Sequence, residues 1–160
     1  MDDETCDLPK PSEPVVLSEH MWVGPAPKPG TLQRLSNGGF RSIINNQPDT
    51  DDGLLMSSSE VAAEAEAIGL SYLHIPIEGR NPLEKDVRSF SEALATMPRP
   101  IFAYCRTGGR SASLWAMASV GDIDTETLIA QCRRIGFDIS GLRAKMDMRR
   151  EMLAEGDLED

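Results

Sequence analysis

Histidine is nearly absent from this chain: only His20 and His74 occur among 160 residues, far apart. That scarcity argues against a conventional cysteine–histidine dyad and against a histidine-built metal centre. Cysteine is scarce too. Cys6, Cys105 and Cys132 are odd in number and widely spaced, so they form no disulfide framework, and no Cys-x-x-Cys or Cys/His cluster points to zinc. Neither a metal nor a cofactor is expected. No apolar run approaches the roughly 20 residues that span a bilayer. The opening residues, Met1-Asp2-Asp3-Glu4, are the opposite of a basic, then apolar, secretory leader. The expectation is a cytoplasmic protein with no membrane partner.

The formal net charge of −10 misleads at first sight. Five acids lie in residues 1–14 and five more in residues 151–160, with Lys10 alone to offset them; removing both ends leaves 16 acids against 15 bases. The body is therefore near neutral. The ends read as solvated, disordered acidic tails (1–14 and 151–160) around one catalytic domain (15–150). An acidic balance also argues against nucleic acid as a partner. Apolar content of 40% and charged content of 26% suit one globular domain of this length.

Along the chain, strand and helix patterns alternate. Residues 15–17 and 21–23 read as short extended pieces, and 31–37 as a short helix stopped by Gly38. Residues 40–45 suit a strand, 46–53 a polar loop, and 59–68 a helix that Ser59 can cap and Gly69 ends. Residues 70–77 return as a buried strand and 83–97 as a helix with Val87, Phe90, Leu94 and Met97 inward. Residues 101–104 make a short apolar strand that delivers the chain to Cys105. Three helices follow, over 111–120, 124–135 and 140–153. The fold class is α/β: a single-domain sandwich with a short central, mostly parallel sheet flanked by helices and a helical C-terminal region.

The chemistry concentrates in Cys105-Arg106-Thr107-Gly108-Gly109-Arg110-Ser111, set between a strand and a helix. A strand that ends abruptly at a helix N-terminus leaves backbone N–H groups without intrahelical partners, aimed into the loop with the positive end of the helix dipole. Gly108 and Gly109 let those amides converge. Arg110 can hold two oxyanion oxygens with its planar fork. The same field favours Cys105 as a thiolate nucleophile, and the Ser111 hydroxyl can donate to it. A lone strand cysteine is commonly a small buried hydrophobe, but such a cysteine does not call for a Gly-Gly pair with arginine on both sides. Cys132, on an amphipathic helix, reads as structural, and Cys6 as an exposed thiol in the tail.

This loop resembles those of the protein tyrosine phosphatases and of the rhodanese sulfurtransferases. More closely, the chain resembles the beta-lactamase-hydrolase-like protein, phosphatase-like domain family. The resemblance rests on Gly39-Phe40-Arg41-Ser42-Ile43-Ile44-Asn45-Asn46-Gln47-Pro48-Asp49, on Tyr72-Leu73-His74-Ile75-Pro76-Ile77, and on the loop with its preceding Ala103-Tyr104, and it covers residues 15–140. It implies a dual-specificity-phosphatase-like fold.

Two departures bear on the reaction. Tyrosine phosphatases place five residues between the cysteine and the arginine, usually with a histidine before the cysteine. Here there are four, Arg106 to Gly109, and Tyr104 stands in the histidine's place. A contracted ring of amides suits the outer sulfur of a persulfide better than a tetrahedral phosphoryl group. Phosphatases of this kind also carry an aspartate as general acid in the loop after the preceding long strand. That loop reads Glu78-Gly79-Arg80-Asn81-Pro82, where Glu78 is the nearest stand-in and a solvated loop charge is the competing reading. Sulfite, leaving from thiosulfate, needs no acid.

The sequence therefore favours a rhodanese-type sulfurtransferase working through a Cys105 persulfide. Its donor would be thiosulfate or a persulfide, and its possible partner an enzyme of sulfide metabolism. The alternative is a phosphatase working through a Cys105 phosphocysteine on a phosphoester. A non-catalytic anion-binding module is the third reading. Arg106 and Thr107 belong to the anion-binding loop, and Asp49, at a strand end, is placed on the pocket rim. His74 reads as a hydrogen-bonded core residue, Trp115 as core, and Arg133, Arg134, Arg149 and Arg150 as solvated helix faces.

Overall fold

The computed structural model describes residues 10–79, 81–156 and 158. Its sheet has five strands: β1 (Val15–Ser18), β2 (Met21–Pro25), β3 (Ser42–Asn45), β4 (Ser71–His74) and β5 (Ile101–Cys105). They lie in the order β1-β2-β5-β3-β4, with only β1–β2 antiparallel. The mostly parallel α/β sandwich expected from the alternation of patterns is the architecture that forms. β5 is central, and all five of its residues are buried. Strand alternation divides its side chains between two cores. Ile101 and Ala103 enter the larger one with Val23, Ile44, Phe90 and Trp115; Phe102 and Tyr104 enter the smaller with Leu32, Ile43 and Val61.

Helices α1 (Leu32–Asn37) and α2 (Ser58–Ile68) cover the smaller core. Helices α3 (Glu84–Thr96), α4 (Gly109–Ala118), α5 (Thr125–Arg134) and α6 (Arg143–Ala154) enclose the larger, α6 entered through a 3₁₀ turn at Ser140–Leu142. Nine of the ten residues of α4 are buried, which explains its almost wholly apolar or small composition. On α3 the inward positions are Val87, Phe90 and Ala93, with Leu94 and Met97 packed at the margin. Among the described residues no helix is long and apolar enough to cross a membrane.

Several expectations shift. α2 is capped by Ser57 rather than Ser59: Ser57 Oγ accepts from the Glu60 amide at 3.2 Å while Glu60 Oε1 accepts from the Ser57 amide at 2.8 Å. That reciprocal box satisfies two donors at once, which a cap at Ser59 could not. β4 stops at His74 and is half-buried rather than buried, because it is an edge strand with one free side. Residues 1–9, with Cys6, lie outside the described residues, as do Asp157, Glu159 and Asp160. At the near end of the lead-in, Lys10 Nζ donates to the Gly136 carbonyl at 3.2 Å and stands 5.6 Å over the Phe137 ring. α6 continues to Ala154, so Glu151 sits on a helix and not in a tail.

The arginines of α6 are also corrected. Arg149 is 2% exposed, with Nε and Nη2 on the two Glu84 oxygens at 3.1 Å each and Nη1 on the Met117 carbonyl at 3.3 Å. Arg150 donates to the Val120 and Ile123 carbonyls at 3.0 and 2.7 Å. Both therefore close the segment after α4 against α6, where a helical-wheel reading assigns only a charged face. Arg133 and Arg134 remain exposed. Arg149→Ala removes the donors that tie α6 to α3 and α4. With Glu84 partly exposed and able to rehydrate, the expected loss is about 2–3 kcal/mol of unfolding free energy, read as a lowered urea midpoint at constant slope.

Candidate active site

The site forms where β5 gives way to α4. Cys105 ends the strand and is fully buried, and Pro25, the last residue of β2, lies opposite it in the parallel register. Gly108 caps α4 with φ +112°, a left-handed conformation that glycine alone takes without strain. A Cβ there would lie 3.2 Å from three backbone atoms of Gly24. The loop therefore turns against the end of β2, and the Gly108 amide donates to Cys105 Sγ at 3.1 Å. The first backbone bond within α4 is Ala112 N to Gly108 O, so the amides of residues 109–111 have no intrahelical partner and face the loop end.

Arg110 is 2% exposed. Its Nη2 donates to Asp51 Oδ2 at 2.6 Å, and its Nη1 donates to Asp51 Oδ1 at 3.2 Å and to the Ile77 carbonyl at 2.9 Å. The sequence alone reserves that fork for an oxyanion; in the fold Asp51 takes its end instead. The donors left over are the buried Nε–H, which has no hydrogen-bond partner, and the second hydrogen of Nη2. Burial alone would lower the Arg110 pKa, but Asp51 and then the neighbouring Cys105 sulfur offset this and hold it above its ordinary value. Burial likewise works against the Asp51 charge. The Arg110 bond and charge, with the Gln47 amide at 3.2 Å, nevertheless keep its carboxyl below the ordinary range.

Ser111 also differs from expectation. Its Oγ donates to Asn46 Oδ1 at 2.7 Å, so its one hydrogen is not on Cys105. Asn46 in turn donates from Nδ2 to the Ile75 carbonyl at 2.9 Å, and its own amide donates to the Tyr104 carbonyl at 2.7 Å. Ser111 and Asn46 thus fasten α4 to the end of β3. Asp49 is engaged by α2: its carboxylate accepts from Ser58 N at 2.7 Å and Ser58 Oγ at 2.8 Å, bonds that hold its pKa low at the start of that helix. The helix start draws it there, and Asp51, two residues on, reaches Arg110.

Glu78 lines the same cleft as Arg106 and Arg110. This cleft, of about 290 Å³, is lined by Thr50, Asp51, Asp52, Glu78, Arg106 and Arg110, with Gly79 between. Arg80 lies outside the described residues. Arg106 also lines a second cleft on the other side of the loop. Thr107 is half-buried within the loop. His74 Nε2 is 2.8 Å from the Gln47 carbonyl, so the hydrogen bond expected is present, but the residue is half-buried on the edge strand rather than in the core. Cys132 is buried, and burial pushes its thiol up to about 12, which makes it inert. Tyr104, in the place of the phosphatase histidine, is buried in the smaller core, and that burial raises its hydroxyl well above the ordinary value.

A buried cysteine at a strand end, a glycine-capped turn and an arginine on the first turn of the next helix belong to a phosphatase-like α/β fold. Solved structures agree on the fold. A candidate phosphatase from Neisseria meningitidis superposes with a TM-score of 0.74 at 24% identity, covering 85% of this chain and 97% of that one. The core catalytic domain of the PP-IP phosphatase of S. cerevisiae, solved with citrate, gives a TM-score of 0.66 at 12% identity, covering 94% and 96%. Residues 15–122 match the model of the beta-lactamase hydrolase-like protein, phosphatase-like domain, and the chain belongs to that family. A beta-lactamase hydrolase-like protein of Agrobacterium fabrum is 31% identical over 127 residues, and one of Xylella fastidiosa is 28% identical over the same length. Those matches cover 78% of this chain but only 30% of the relatives' length.

Two outcomes follow from this geometry. Gly108→Ala places a Cβ against the Gly24 backbone at positive φ, so the loop must open; the expected cost is about 1–3 kcal/mol, with anion binding lost, as titration calorimetry with inorganic phosphate would show. Asp51 has a folded-state pKa below the ordinary 3.8, so its contribution to stability is complete above that pH and is lost as the pH falls through the folded-state value. Asp51→Asn should flatten the acid limb of the stability–pH curve below about pH 4, measured by urea unfolding.

Proposed function

We propose that the chain is a cysteine-dependent phosphatase that cleaves a phosphomonoester through a Cys105 phosphocysteine. The observation that supports it best is the set of groups around one buried sulfur: the Gly108 amide on Sγ, the unpartnered Nε of Arg110, and Glu78 in the adjoining cleft. The likeness in fold to phosphatases lends it weight.

In this reading the Cys105 thiolate attacks phosphorus. The S–P bond forms as the P–O bond to the leaving alkoxide breaks, and Glu78 gives that alkoxide its proton. The loop amides and Arg110 take up the charge on the phosphoryl oxygens. Water then attacks phosphorus, passes a proton to the Glu78 carboxylate and releases inorganic phosphate and the thiolate. Asp51 is a poor choice of acid, since its carboxylate is committed to Arg110 and held ionised. Its role is to set the arginine's orientation.

A second reading has its own observation. Only four residues separate Cys105 from Arg110, and the contracted ring of amides favours a smaller or less charged transferred group, such as the outer sulfur of thiosulfate. There the S–S bond to sulfite breaks as Cys105 becomes a persulfide, and a thiol or cyanide accepts the sulfur. An enzyme of sulfide metabolism would be its natural partner.

Intact mass spectrometry and phosphate release, after exposure to an aryl phosphate or to thiosulfate, separate the two. Phosphate release that disappears in Cys105→Ser is expected, and Glu78→Gln should lower kcat by about 10²-fold on an alkyl phosphate and much less on a good aryl leaving group. A gain of one sulfur on Cys105, reversed by cyanide, with no phosphate released, selects the second reading and overturns the first.

A further inference from the structure

The loop has a cleft on each side, and the two differ in charge. The one already described carries Asp51, Asp52 and Glu78. The other, of about 360 Å³, is walled by Pro11, Ser12, Pro25, Ala26 and Leu55, with Gln47 also lining it and Lys28 and Arg106 as its charged residues; among the described residues no carboxylate lines it. Its position is fixed by the sheet. Pro25 is paired with Cys105 itself, and Gln47 follows the end of β3 and donates to Asp51, so the cleft opens beyond the carboxyl ends of β2 and β3 on either side of β5. Open α/β sheets bind ligands in such crevices. Arg106 lines both clefts and joins them. Leu55 is 48% exposed, a large apolar side chain held at the surface against this hollow.

We infer that this second cleft is the subsite for the body of the substrate, and that the body is an apolar group bearing a second anion. The inference rests on the phosphoester reading and extends it. With its phosphoryl group on the loop, a substrate can extend its organic body in either of two directions. Toward Glu78 it meets three carboxylates, which repel a negative group. Toward Leu55 it meets apolar surface from Pro25 and Ala26, then the charges of Lys28 and Arg106. An apolar body gains by covering Leu55, and an anion at its far end gains from Lys28, whose exposed ammonium reaches it at little structural cost. Lys28 and Leu55 are then specificity-determining residues with no role in the bond-breaking step.

Two probes separate these contributions: phenyl phosphate and 4-carboxyphenyl phosphate, which differ by one anionic group. Binding of each to Cys105→Ser, measured by titration calorimetry, reads the subsite without needing turnover. The carboxylated probe should bind more tightly. Adding Lys28→Glu should reduce its advantage over phenyl phosphate about fivefold, while Lys28→Arg keeps it. Leu55→Asp should weaken both probes, and the carboxylated one more. An unchanged ratio in Lys28→Glu, or no binding of either probe, overturns the inference. Absence of turnover in the parent protein, with the binding pattern intact, instead overturns the phosphatase reading and leaves the subsite standing.

Discussion

Asp51 and Arg110 meet through two hydrogen bonds in a place where neither is well solvated, the arginine 2% and the aspartate 12% exposed. Desolvation makes such a pair costly to assemble and more costly to break, since removing either partner strands the other's charge. What the pair secures is orientation. With both terminal nitrogens engaged by Asp51 and Ile77, the guanidinium cannot swing, and its Nε stays beneath the loop next to Cys105. The loop's second fastening, Ser111 to Asn46, reaches the same segment after β3. The geometry around Cys105 is thus held from beneath by residues 46–51 as much as by the loop's own glycines.

Those glycines answer a different constraint. Cys105 and Pro25 are register partners, so the turn after Cys105 has to pass over the end of β2 with almost no room. Gly108 meets that condition twice, by its left-handed φ and by its missing Cβ. An arginine two residues later then falls on the first turn of α4, facing the space the turn encloses. The short loop and the close β2 contact are two aspects of the same packing.

The loop is legible in the sequence because its residue types are rare in combination: cysteine after an apolar run, paired glycines, flanking arginines. The sheet is legible because 43–44 and 101–104 are strongly apolar and bracketed by helical periods. The segment 46–53 is not. Asp49, Asp51 and Asp52 look alike in a polar loop, and only the fold shows that the first binds Ser58, the second Arg110, and the third lines the cleft. Asn46 and Gln47 are buried although polar, because they extend the path of β3 past its last ladder bond and are satisfied by hydrogen bonds with Tyr104, Ile75 and Asp51. Arg149 escapes a sequence reading for a similar reason: a helical period marks which face a charge occupies, not whether another helix covers it. Ser57 is legible by contrast: of three serines in a row it alone stands three residues before Glu60, the spacing of a capping box.

The groups that surround Cys105 come from four stretches of chain: the end of β2, residues 46–51, residues 77–78 and the loop itself. No short fragment contains them together, and most of the distances that define the site span thirty or more residues. An anion that binds here therefore finds no counterpart site in the unfolded chain. Occupancy would add RT ln(1 + [L]/Kd) to the free energy of unfolding, an amount that grows with ligand concentration. An occupied site would in this sense be a latch on the sheet: the ligand would have to leave before β2, β3 and β5 could part.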